Sequence, residues 1–102
     1  MCMGFVSLQT VPVRASDFTA GSVLEKFTAK ELNAYLAGVV HGLAYGRYKK
    51  EGKRTNGGMK CILDWYFDDK SAATQIVQAF RKYPDHVPYA VLGAMVEQKC
   101  GE

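Results

Sequence analysis

The chain has 102 residues, 13 Lys plus Arg against 10 Asp plus Glu, and a formal net charge of +3. That length holds one domain. With 48% hydrophobic and 23% charged residues, the composition excludes a disordered, collagen-like or coiled-coil chain. No apolar run reaches the roughly 20 residues of a membrane-spanning helix, so no membrane span is expected. The small positive excess, with no reading module beside it, does not indicate nucleic acid.

Met1 to Ala15, MCMGFVSLQTVPVRA, carries no charged side chain before Arg14 and is largely apolar. Val13 and Ala15 are small residues at −3 and −1 of a candidate signal-peptidase cut. Residues 1–15 therefore read as the remnant of an export signal, and 16–102 as a single helical domain in the periplasm. The segment lacks a basic start, and Gln9 and Pro12 interrupt it; the alternative is an ordered N-terminal arm of a cytosolic protein. Three cysteines is an odd count, and removal of Cys2 with the leader leaves Cys61 and Cys100. In an oxidising compartment these two are expected to pair. Closing a loop of about 40 residues contributes roughly 4 kcal/mol on the chain-entropy estimate. In the cytosol they would be two buried free thiols.

Asp17 to Phe27 has the pattern of a first helix, with Thr19 and Ser22 as candidate caps and Val23, Leu24 and Phe27 on its apolar face. Thr28-Ala29-Lys30-Glu31 is a capping-box sequence, so a second helix should begin at Ala29 and can run to about Lys50. Leu32, Leu36, Val39 and Leu43 make one stripe along it. Gly38, Gly42 and Gly46 continue a second stripe from Ala34. Each glycine costs about 1 kcal/mol against alanine in a helix, so close helix packing is the expected reason for them. That packing serves equally within one chain or across a homodimer. Tyr35, Tyr45 and Tyr48 add aromatic bulk at the core or its rim.

Lys49 to Gly58, KKEGKRTNGG, is the clearest loop. A solvated linker is its simplest reading, and Lys49, Lys50, Lys53 and Arg54 are its candidate contacts for an acidic protein partner. Met59 to Phe67 is dense and apolar and fits either a helix or a short buried extended piece. Asp68 or Asp69 should cap a helix of about Lys70 to Lys82, with Ala73, Ile76, Val77 and Phe80 inward. Tyr83-Pro84 stops it. Asp85 is a candidate cap for a last helix from Pro88 to Lys99, with Val91, Leu92, Met95 and Val96 inward and Cys100 at its end. The fold class is all-α, a compact bundle of four to five helices with one disulfide.

An enzyme is not expected. His41 and His86 are the only histidines, and neither lies in a metal-binding or nucleophile motif. Asp64, Asp68 and Asp69 lack the spacing and glycine of a calcium loop. No catalytic residue, metal ligand or cofactor is assigned.

Tyr35-Leu36-Ala37-Gly38-Val39-Val40-His41-Gly42-Leu43 resembles the Y-x-x-G-V-x-x-G helix of the Rap/Tai immunity proteins, small periplasmic proteins that neutralise type VI secretion amidase effectors. Cys61-Ile62, Gln75-Ile76-Val77 with Phe80, Tyr83-Pro84-Asp85 and a last helix ending Lys99-Cys100 extend the likeness over residues 19–100. The chain departs from that pattern in having Ile62 where a proline often follows the first cysteine, and in lacking an additional cysteine pair near the first helices. The resemblance implies an all-α exported domain, a Cys61–Cys100 bridge, and inhibition of a cell-wall amidase by steric occlusion. A second resemblance, to the small helical acid-stress chaperones typified by HdeA, implies instead a protein that releases apolar surface when its carboxylates are protonated.

Overall fold

The computed structural model describes residues 18–102, so the expected leader and its cut lie outside the described residues. Five helices follow one another: α1 Ala20–Lys26, α2 Ala29–Lys50, α3 Gly58–Asp68, α4 Ala72–Lys82 and α5 Pro88–Cys100. No strand occurs among the described residues, and no helix there is long and apolar enough to cross a membrane. The expected all-α bundle is present, closed by a Cys61–Cys100 disulfide whose Cα atoms are 5.9 Å apart.

The first two helices begin where local chemistry starts them. Thr19 Oγ1 accepts the Ser22 N–H while Ser22 Oγ accepts the Thr19 N–H, and Thr28 and Glu31 exchange the same pair of bonds. These capping boxes satisfy N–H groups that a helix start otherwise leaves open. Helix α1 therefore opens at Ala20, three residues later than Asp17. Pro88 occupies the first turn of α5, where its missing N–H costs nothing. Asp85 is not the cap of that helix; Val87 holds the position without a side-chain bond. Nor does Asp69 cap α4 directly. Its carboxylate accepts from the N–H and hydroxyl of Ser71, the actual cap residue.

The ambiguous segment from Met59 is helical. Its buried residues Gly58, Ile62 and Trp65 recur at four and three, the spacing of one helix face. Helix α2 packs mainly on α3, α1 on α4, and α5 against both α3 and α2. Leu36, Val40, Ile62, Ile76, Phe80 and Leu92 are fully buried where these faces meet. The inward face of α4 is Ala72, Ile76 and Phe80, with Ala73 and Val77 half-buried beside it. In α5, Val91, Leu92 and Val96 are buried, and Met95 packs against them.

Helix α2 is turned differently from its most obvious stripe. Its buried residues are Leu36, Val40, Ala44 and Arg47, and Leu32, Val39 and Leu43 lie at the edge of the core. Gly38, Gly42 and Gly46 each stand two residues, or about 200°, beyond a buried position, on the opposite side of the helix. All three are exposed, and a Cβ on any of them would meet nothing within 4 Å. The close helix packing expected at Gly38, Gly42 and Gly46 is therefore absent within the chain. Tyr45 on the same side is 61% exposed, whereas Tyr35 is half-buried against Phe18 and Phe27, with ring centroids 5.6 and 5.8 Å away.

Candidate functional site

The basic loop is shorter than its sequence suggests, because Lys49 and Lys50 complete α2 and Gly58 opens α3. The chain leaves α2 through a Schellman turn. The Lys53 N–H donates to Tyr48 O at 2.8 Å and the Gly52 N–H to Lys49 O at 3.2 Å. Gly52 has φ 71°, which glycine adopts freely. Lys53 has φ 66°, a left-handed conformation uncommon for a residue with a side chain. The turn projects Lys49, Lys50, Lys53 and Arg54 from one elbow, all exposed. Among the described residues none of these four side chains forms an ion pair or a hydrogen bond.

Beneath the elbow lies a polar node. Arg47, only 8% exposed, sends its guanidinium to the carbonyls of Cys100 and Gly101 at the end of α5. Cations at a helix C-terminus are favoured there by the open carbonyls and the helix dipole. Glu51 stands 3.8 Å from Arg47 and accepts the Gly58 N–H at 2.9 Å, supplying the cap that Gly57 cannot give α3. Gly58 has no side chain because a Cβ there would overlap the Cγ of Arg47. Three residues into α3, Cys61 makes the covalent link to Cys100. The end of α2, the start of α3 and the end of α5 are thus joined twice, once through charge and once through sulfur.

The sequence patterns missed Arg47 and Glu51 as structural residues. A signal existed: Arg47 continues the Leu36, Val40, Ala44 register, and Glu51 follows it at i+4. Lys49, Lys50, Lys53 and Arg54 are all exposed, the first two at the end of α2 and the others in the turn that follows. The remaining ionisable candidates are dispersed. His41 is exposed on α2, its Nδ1 2.8 Å from Ala37 O, and His86 lies in the α4–α5 turn beside Tyr83. Asp64 pairs with Lys60 one turn before it, which holds the lysine ammonium above its usual range. Hydrogen bonds from the Ser71 hydroxyl and then its N–H hold the Asp69 carboxyl below the usual aspartate range. Burial raises the phenols of Tyr35 and Tyr66, with Tyr89 adding to the shift at Tyr35. Among the described residues no three His, Cys, Asp or Glu side chains converge to hold a metal ion.

No protein-family model matches this chain, and no curated protein or solved structure matches it. The elbow is therefore read from its own chemistry: four exposed cations on one bend, a surface complementary to negative charge. Between α4 and α5 runs a second feature, an open groove of about 540 Å³ lined by side-chain amides, Lys82, Tyr83 and His86.

Proposed function

We propose that this protein is an exported binding domain of the immunity type, which inhibits a secreted cell-wall amidase by covering its catalytic cleft. The observation that supports this reading is the elbow. Four exposed cations without intramolecular partners sit on a bend anchored by Arg47, Glu51 and the Cys61–Cys100 bridge. A rigid surface loses little entropy on docking, and unpaired cations steer an acidic partner and fix its register. The bridge is in keeping with an oxidising compartment and an N-terminal export signal. The exposed side of α2 with Gly38, Gly42 and Tyr45 extends the surface toward a partner or a second copy of the chain.

The test is inhibition. An exported amidase retained by the protein in pull-down, or found encoded beside its gene, is assayed on peptidoglycan with increasing amounts of the protein. Stoichiometric inhibition, weakened at least tenfold by Lys49→Glu with Lys53→Glu and relieved by salt, is the expected result. An amidase left fully active by equimolar protein overturns the proposal. A protein that instead binds apolar dye and suppresses client aggregation only at pH 2–3 would be an acid-stress chaperone.

A further inference from the structure

The α4–α5 groove exists because three facing positions, Ala79, Ala90 and Ala94, are too small to fill the seam between the two helices. Its floor is Val91 and Met95. The lining advances along α4 from Gln75 to Lys82, about 10 Å of helix, which is the span of three extended residues. Along that length the polar lining is primary amide: Gln75 and Gln78 from α4 and Gln98 from α5. Gln75 is held by its Nε2 donating to Ser71 Oγ at 2.9 Å, which keeps its carbonyl oxygen available. Among the described residues the amides of Gln78 and Gln98 bond to no other group. A primary amide both donates and accepts, matching the alternating N–H and C=O groups of a peptide backbone.

The two ends of the groove differ in charge. Lys82 stands at one end with its ammonium 5.5 Å from the centre of the Tyr83 ring, and that ring meets His86 at 5.4 Å. No carboxylate lines the groove, and Lys82 has no ion-pair partner among the described residues. An occupant that carries its own negative charge is the complementary one. A small inorganic anion would use Lys82 and leave the amides idle, and a nucleic acid would need a row of cations in place of one.

We infer that the α4–α5 groove binds an extended segment of a partner polypeptide bearing an aspartate or glutamate side chain. Lys82 receives the carboxylate, Gln78 and Gln98 pair with the backbone, and the adaptable Met95 takes an apolar neighbour. This site lies on different helices from the basic elbow and stands whether or not the elbow inhibits an amidase.

Two pools of capped hexapeptides test it, randomised at five positions and fixed at the sixth as glutamate in one and glutamine in the other. They are titrated into the ¹⁵N-labelled full chain. The glutamate pool is expected to shift the Gln78, Lys82, Ala94 and Gln98 resonances, including the glutamine side-chain amides, at concentrations at least tenfold lower than the glutamine pool. Lys82→Glu and the groove-filling Ala94→Phe should each weaken that response at least tenfold, and Lys49→Glu should not. Both groove positions are exposed, and Lys82→Glu alone decides the question should Ala94→Phe disturb the fold. Equal responses to the two pools, shifts elsewhere, or none at millimolar peptide overturn the inference. So do groove shifts that follow protein concentration alone, which identify a second copy as occupant. Stronger binding of an amidated peptide of residues 1–15, which has no carboxylate side chain, overturns it as well.

Discussion

Two of the connections between helices, α4–α5 and α2–α3, are tied to distant chain in different ways, one through backbone and the other through side chains. The α4–α5 turn is short and held by backbone. Pro84 and Pro88 bracket it, His86 N–H donates to Tyr83 O, and the start of α1 docks on it through Ala20 N–H to His86 O and Gly21 N–H to Pro84 O at 2.8 and 2.9 Å. The α2–α3 elbow is longer, charged and rich in glycine, and its neighbours are fixed by side chains and by chain distant in sequence. Arg47 reaches residues more than fifty positions away, and the disulfide spans 39. The α4–α5 turn thus combines proline and a local hydrogen bond with two backbone bonds from the start of α1. The elbow has its own local order in the Schellman turn that ends α2, and Arg47, Glu51 and the disulfide add side-chain and covalent ties to distant chain.

Loss of the bridge should separate the two bends most. Replacing Cys61 and Cys100 together by serine is expected to cost about 4 kcal/mol on the loop-entropy estimate, read from denaturant unfolding by the fluorescence of the single tryptophan, Trp65. Hydrogen exchange at the Gly58 and Lys53 amides should accelerate, while Ala20 and Gly21 stay protected. Equal acceleration at both bends would show that they share one source of stability.

Next in size is the charged node. Arg47→Ala leaves the carbonyls of Cys100 and Gly101 and the Glu51 carboxylate without their partner, at an expected cost of about 2–3 kcal/mol. Gly58→Ala should come close to the same loss by displacing the arginine stem. If Arg47→Ala is tolerated with no fall in the unfolding midpoint, the sulfur bridge alone holds the elbow.

A pair of alanine substitutions should have opposite signs. At Gly21 the new Cβ would lie 3.0 Å from Pro84 Cβ and 3.2 Å from its carbonyl oxygen. The crowding should outweigh the gain in helix propensity and cost about 1 kcal/mol. At Gly42 nothing stands in the way, and alanine should stabilise by about 1 kcal/mol. Thermal melts of the two variants check this, and a loss at Gly42 would mean that something packs on that side of α2.

The smallest effect is the pH response of Asp69. Its folded-state pKa is lowered by the two bonds from Ser71, so its contribution is complete above the ordinary aspartate range and disappears as pH falls through the lowered value. Asp69→Asn should therefore lower stability slightly at neutral pH and flatten that portion of the acid limb, the two proteins converging once the pH falls below the lowered value. Carboxyl titration by NMR reads it directly, and a midpoint at or above the ordinary aspartate value contradicts the capping role.

Much of the fold was legible because its signals act over a few residues. Thr28 with Glu31, Pro84 and Pro88 set helix ends through bonds and sterics within one turn, and the apolar spacing of α4 and α5 leaves little choice of inward face. The cations from Lys49 to Arg54 are visible by composition alone. Tertiary structure decided the rest. Alanine, glycine and tyrosine surround α2, so its sequence does not choose a face; packing on α3 does, and it turns the glycines outward and Arg47 inward. The helical state of Met59 to Phe67 follows from burying Ile62 and Trp65 against other helices. The role of Arg47, the bareness required at Gly58 and the groove above Met95 depend on which distant residues arrive beside them, and local propensity carries no record of that.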